Sequence, residues 1–285
     1  MWPFSRAPVV PVLRLTGTIM PSGGPWAGPT LSLSNLAGPI EKAFTFSSLP
    51  SVAIVINSPG GSAAQSHLIF RRIRQLAAEN NKRVYVFCED IAASGGYFIA
   101  VAGDEVYADP SSIVGSIGVI SSGFGFEKAI EKLGVERRVY TAGHSKNTLD
   151  PFLPENPADV ERLKTLQQDV HDVFIGVVKE RRGAVLKGSD SELFSGAFWS
   201  GAKAQEFGLI DGITDVRAKM RALHGPKVKL RLIPIGGGGL LSRLWRSPGY
   251  GGGHPGYGGG HSGLIDPAAA LSAIETRMLW SRFGL

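Results

Sequence analysis

Apolar and polar positions along this chain of 285 residues follow two alternating rhythms, one suited to strands and the other to helices. Pro11-Val-Leu-Arg-Leu-Thr16 alternates like a first strand, and a Gly/Pro/Ser-rich loop follows it. Residues 35–46 read as a short helix. Ser51-Val-Ala-Ile-Val-Ile56 is an unbroken β-branched run, the pattern of a strand covered on both faces. The turn signal Asn57-Ser-Pro-Gly-Gly-Ser62 ends it, and a helix reaching about Asn80 sets Leu68, Ile69, Ile73 and Leu76 on one side. Residues 83–88 predict the next strand, 96–102 a short buried helix, and 105–109 and 115–120 two more strands. Residues 127–133 read as helix and 135–140 as strand.

A polar loop over 141–156 leads to the best-marked helix. Asn156 is its N-cap, Pro157 its first residue, and Asp159 lies in its first turn. Val160, Leu163, Leu166, Val170, Val173, Phe174 and Val177 form its apolar stripe, which runs to Arg181. A further helix over 200–207 stops at Gly208-Leu-Ile-Asp-Gly212, and 227–233 is a last strand. Strands alternating with helices predict an α/β fold with a largely parallel sheet flanked by helices. Beyond Gly236 the composition turns rich in Gly, Pro, His and Tyr, with an imperfect duplicate of Gly-Tyr-Gly-Gly-Gly-His. It predicts a linker over 236–264 between a domain at 1–235 and a helical C-terminal arm at 265–285.

A hydrophobic fraction of 43% and a charged fraction of 19% suit a globular protein. No run is long and apolar enough to span a membrane, and Met1 to Pro8 lack the order of a secretory signal, so a cytoplasmic protein is expected. The single cysteine, Cys88, lies in an apolar strand and supports neither a disulfide nor a metal site. No metal and no cofactor are expected. Basic charge collects late: from residue 215 onward there are 10 Lys+Arg against 3 Asp+Glu. With Leu279, Trp280 and Phe283 beside Arg277 and Arg282, the last helix could lie on anionic lipid at the inner membrane face, or dock on the core or a neighbouring subunit. No nucleic-acid motif is present.

The chemistry centres on Glu89-Asp-Ile-Ala-Ala-Ser-Gly-Gly-Tyr-Phe98. Ser94 falls at a strand-to-helix junction among small residues, with helix N–H groups behind it suited to a developing negative charge. Taken alone, the decapeptide reads more simply as an N-capping serine before a packing pair of glycines. A second glycine turn, at Gly60-Gly61, follows the preceding strand. In a parallel sheet the two turns emerge together, and an N–H from each could bind one oxygen. No Gly-Lys-Ser/Thr follows Asn57 to Ser62, so this is not a phosphate loop.

Residues 51–62, 90–98, 111–120 and 198–213 resemble the signal peptide peptidase A family, serine endopeptidases on the Clp protease/crotonase-like fold. The likeness spans roughly residues 8–235. It implies that Ser94 is the nucleophile, with Gly60, Gly61 and Gly95 around the oxyanion. It places the base lysine in the loop ending Asp150-Pro151-Phe152, hence at Lys146, steadied by the hydroxyl of Ser116. It also implies hydrophobic peptide substrates, such as released signal peptides, and a ring-like homo-oligomer in which Lys146 of one subunit serves Ser94 of the next. A lysine acts as base only when neutral, so Leu149, Phe152 and Leu153 are expected to wall Lys146 in.

His144 is the rival base. His67 and His171 are read as helix residues, and His254 and His261 as part of the linker. Two other functions compete: a crotonase-like acyl-CoA enzyme, which needs the oxyanion hole but not Lys146, and an idle scaffold bound to membrane by its tail.

Overall fold

The computed structural model describes residues 7–21, 30–143 and 145–235, together with residues 280 and 283. Its elements in chain order are β1 (Val9–Thr16), α1 (Leu33–Thr45), β2 (Ser51–Ser58), α2 (Ala63–Glu79), β3 (Arg83–Ala93), α3 (Gly95–Ala100), β4 (Glu105–Ala108) and β5 (Ile113–Gly115). They continue with α4 (Glu127–Lys132), α5 (Pro157–Arg182), α6 (Asp190–Leu193), β6 (Phe198–Ser200), α7 (Gly201–Glu206), β7 (Gly212–Ile213), α8 (Val216–His224) and β8 (Lys229–Ile233).

The strands form one sheet in the order β6-β5-β3-β2-β1-β8, and every pairing is parallel except β5 with β6. β3 is the hinge of the sheet: Tyr85 to Cys88 pair with β4, which carries β7, while Ile91 to Ala93 pair with β5. Parallel strands covered on both faces need apolar residues at every position, and β2 is buried from Ser51 to Ile56. One face carries the main core, including Leu13, Ile54, Val86 and Tyr97 against α1, α2, α3 and α5. The other carries Val10, Val12, Val55, Phe87 and Tyr107 against Met220 of α8. Cys88 is buried in the main core, and desolvation pushes its thiol pKa up to about 12.

The serine-bearing strand runs further than its hydrophobic pattern suggests. Ile56 pairs with Cys88 but Ser58 pairs with Ala92, so β3 carries two extra residues across this step. The charged pair that follows the apolar run is taken up there: Glu89 meets Arg14 at 2.5 Å, and Asp90 accepts from the Asn57 amide.

Several other expectations change. The strand expected at 115–120 is β5, which ends at Gly115, because the chain leaves the sheet at Ser116 with φ 53°. Residues 135–140 form no strand, having no sheet edge to join, and stay exposed. Leu68 also faces solvent, while Phe70 and Ala77 join Ile69, Ile73 and Leu76 inside. On α5 only Phe174, Val177, Val178 and Arg182 are buried; the rest of the stripe lies beyond the reach of the sheet. The short α6 and β6 carry too little periodicity to be read from sequence, whereas α8 is an addition to the expected elements although Val216, Met220 and Leu223 keep helical spacing. The linker and the C-terminal helix lie outside the described residues, apart from Trp280 and Phe283.

Candidate active site

Ser94 leaves β3 with φ 52° and ψ −122° and opens α3. This region of backbone space suits glycine, and a side chain held there costs about 1–3 kcal/mol. Other serines that open helices here, Ser32, Ser62, Ser189 and Ser200, each accept a backbone N–H on the hydroxyl. Ser94 makes no side-chain cap bond. The capping explanation of this serine therefore fails: its oxygen is turned out of the helix end on a strained strand-to-helix corner.

The strain is held by what surrounds it. The Ser94 N–H donates to the Gly115 carbonyl at 2.8 Å, and its carbonyl accepts from the Phe98 N–H at 2.9 Å. Further along α3, the buried Tyr97 hydroxyl donates to the Leu209 carbonyl at 2.7 Å. That carbonyl belongs to Gly208-Leu-Ile-Asp-Gly212, so the motif has a structural role. Arg182, only 5% exposed, binds the Gly208 carbonyl through Nε and Nη2, and Asp211 through Nη1 at 2.7 Å. The same carboxylate accepts from the Val106 N–H at 2.6 Å. Sequence reading did not find this lock; its one visible signal was the arginine closing α5.

The two glycine turns meet at the serine. A Cβ on Gly60 would stand 2.8 Å from both the Ser94 Cβ and the Gly95 nitrogen, so only glycine allows the approach. A Cβ on Gly95 would strike the Ser66 Oγ at 2.4 Å and lie 3.4 Å from the Gly61 nitrogen. The Gly60 N–H is already donated to Ser58 Oγ. Among the described residues, no acceptor takes the N–H of Gly61 or of Gly95. The available donor pair is thus Gly61 and Gly95, while Gly60 lets the turns close.

Ser94, Gly61 and Gly95 open onto a cleft of about 350 Å³, walled by Pro59, Phe98, Val119, Ile120, Val170, Phe174 and Phe283 among others. Ser116 is buried next to this serine corner, one residue beyond the Ala93–Gly115 pair, with its N–H on the Ala197 carbonyl at 2.7 Å.

Lys146 does not line this cleft. It sits exposed on the turn at 145–149, and Leu149 and Leu153 are exposed as well, so the apolar wall expected around it is open in the single chain. The loop itself is well held. The Asp150 carboxylate accepts from the Phe152 N–H at 3.0 Å and pairs with Arg137 at 2.8 Å, and Arg137 stacks on the Phe152 ring. Its pKa is lowered, chiefly by that backbone hydrogen bond.

Of the histidines, His144, His254 and His261 lie outside the described residues. His67 packs on Phe98 at 5.5 Å, and burial lowers its pKa. The His171 Nε2 lies 3.1 Å from the Ile117 carbonyl. Neither lines the cleft. Among the described residues no cluster suited to a metal occurs.

Residues 77–229 match the model of peptidase family S49. The chain belongs to that family. Its parallel sheet with helices on both faces is the Clp protease/crotonase-like arrangement.

Among its relatives, a Synechocystis putative protease, slr0021, is 30% identical over 82% of each chain. A putative signal peptide peptidase SppA of Enterococcus faecium is 33% identical over 57% of this chain and 46% of its own. A Brucella abortus protein named Na(+)/H(+) antiporter NhaA is 53% identical over 97% of this chain, which spans 37% of that protein. That name describes the larger protein; here, among the described residues, no helix is long and apolar enough to cross a membrane.

Proposed function

We propose that this S49 member is a serine endopeptidase in which Ser94 is the nucleophile and Lys146, from a neighbouring copy, is the base. The observation that carries the reading is the strained, uncapped Ser94 beside two free N–H groups. A neutral Lys146 amine takes the Ser94 hydroxyl proton as Oγ attacks the scissile carbonyl carbon. The Gly61 and Gly95 N–H groups receive the oxyanion. The intermediate collapses by breaking the C–N bond, and the Lys146 ammonium returns the proton to the leaving amine. Water, deprotonated by the same amine, then hydrolyses the ester to Ser94. The Ser116 hydroxyl steadies the lysine.

Two observations support the second copy. Lys146 is exposed and away from the cleft within one chain. The chain around it, over residues 120–153, leaves Ile120, Phe124, Leu133, Val135, Tyr140 and Leu153 exposed, an apolar density that a partner subunit would cover. The Val119, Ile120, Phe98 and Phe174 walls favour hydrophobic peptides in extended form, such as released signal peptides. A crotonase-like acyl-CoA enzyme would use the same oxyanion donors but has no use for a serine held at positive φ.

Fluorophosphonate labelling tests the reading. Wild type should label, Ser94→Ala should not, and Lys146→Ala should label far more slowly. Equal labelling of all three removes the assignment.

A further inference from the structure

Building on that peptidase reading, we propose that His171 is a positioning residue, which fixes Val119 and Ile120 by tethering the chain just after Ser116 to α5. The His171 Nε2 lies 3.1 Å from the Ile117 carbonyl. A carbonyl only accepts, so Nε2 carries the hydrogen. Ile117 is buried, whereas Val119 and Ile120 are exposed, so the free stretch begins right after the tether.

The way this stretch is held singles the histidine out. On one side it presses on the residues around β6. A Cβ on Gly115 would meet the Trp199 ring at 2.8 Å, and one on Gly118 would stand 2.9 Å from the Gly196 Cα. Such packing limits approach from that side alone. After the Ser116 N–H, the next backbone N–H bonded among the described residues is that of Phe126, on the Pro151 carbonyl. Between them, among the described residues, the contact with His171 is the single hydrogen bond made by residues 117–125. α5 is anchored independently, because Phe174 stacks on Phe98 at 4.6 Å. Val170 and Phe174 of α5 line the cleft together with Gly118, Val119 and Ile120. His171 directly follows Val170, so its bond ties these two sets of residues to each other. Without it Val119 and Ile120 lose their fixed place against α5, and an extended apolar peptide must order them on binding.

Binding to catalytically dead protein separates this effect from turnover. A fluorescein-labelled peptide with alternate leucines is titrated into full-length Ser94→Ala, alone and with His171→Leu or His171→Gln. Leucine fills the space without a donor, whereas the glutamine amide carries one on a side chain of similar reach. His171→Leu should weaken the peptide about tenfold, and His171→Gln should bring it back to within about threefold, as for one net hydrogen bond. With Ser94 intact, His171→Leu should slow fluorophosphonate labelling by less than about twofold, since that probe needs only the serine and its oxyanion donors. A histidine that served stability alone would lower labelling and the unfolding midpoint together with affinity. Unchanged affinity in His171→Leu, no recovery in His171→Gln, labelling that falls as far as affinity, or no peptide binding by Ser94→Ala overturns the proposal. A wild type that fails to label sinks the peptidase reading, while the binding comparison still decides the role of His171.

Discussion

The backbone N–H of Ser94 is bonded to the carbonyl of Gly115 at 2.8 Å. This bond continues the β3–β5 ladder one step past Ala93 and brings Ser116 beside the strained corner. Both serines sit at positive φ, 52° and 53°. Such conformations persist only where neighbours enforce them, and here each turn helps enforce the other.

Replacing Ser94 with glycine should therefore separate stability from function. The backbone strain is relieved at a position glycine adopts freely, and the unfolding midpoint should rise by about 2–4 °C. Labelling and peptide cleavage should vanish, with residual turnover no more than about a thousandth of wild type. A lower midpoint by calorimetry would mean that the Ser94 corner is not strained.

Lys146→Arg should be inactive, because a guanidinium keeps its proton. Mixing inactive Ser94→Ala with inactive Lys146→Ala, then exchanging subunits, should restore up to about a quarter of wild-type activity if each site takes its lysine from a neighbour. No recovery after confirmed exchange would place base and nucleophile in the same chain.

Arg182→Met should cost about 3–5 kcal/mol, since it strips the Gly208 carbonyl and the Asp211 carboxylate of a buried partner. Denaturant unfolding measures the loss. Arg182→Lys should not restore it, because one ammonium cannot reproduce the forked contact. Near-wild-type stability in either variant would show the lock to be dispensable.

Burial lowers the pKa of His224, whose Nε2 lies 3.0 Å from Ser51 Oγ, and of His67, where Arg71 adds to the effect. The unfolded chain then binds more protons than the native one below about pH 6.5. The stability these groups contribute is complete above that value and is lost as pH falls through their folded pKa values. The thermal midpoint should drop between about pH 7 and 5, and His224→Gln should flatten that slope. A slope unchanged in the variant assigns the proton uptake elsewhere.

Much of this was legible from the chain itself. The β-branched runs at 51–56 and 83–88 fixed two central parallel strands, because only a doubly covered strand is apolar at every position. The small neighbours of Ser94 alone read as an N-cap before two glycines; it took the second glycine turn and the family likeness to single that serine out. The sequence could not say which glycine N–H remains free, since that depends on the Ser58 hydroxyl closing onto Gly60. Nor could it reveal the Arg182–Asp211 lock, whose partners are distant in sequence. The α5 stripe misled because periodicity marks an apolar face without saying what covers it: Leu166 and Val173 are exposed in the single chain.

Cys88 has a practical consequence. It is the sole cysteine, and its thiol is buried with a pKa of about 12. Towards maleimides and other thiol reagents the folded chain should behave as if it had none. A cysteine placed at the exposed position 146 would then be the only addressable thiol. A single dye could follow the lysine loop, with no need to mutate the core first.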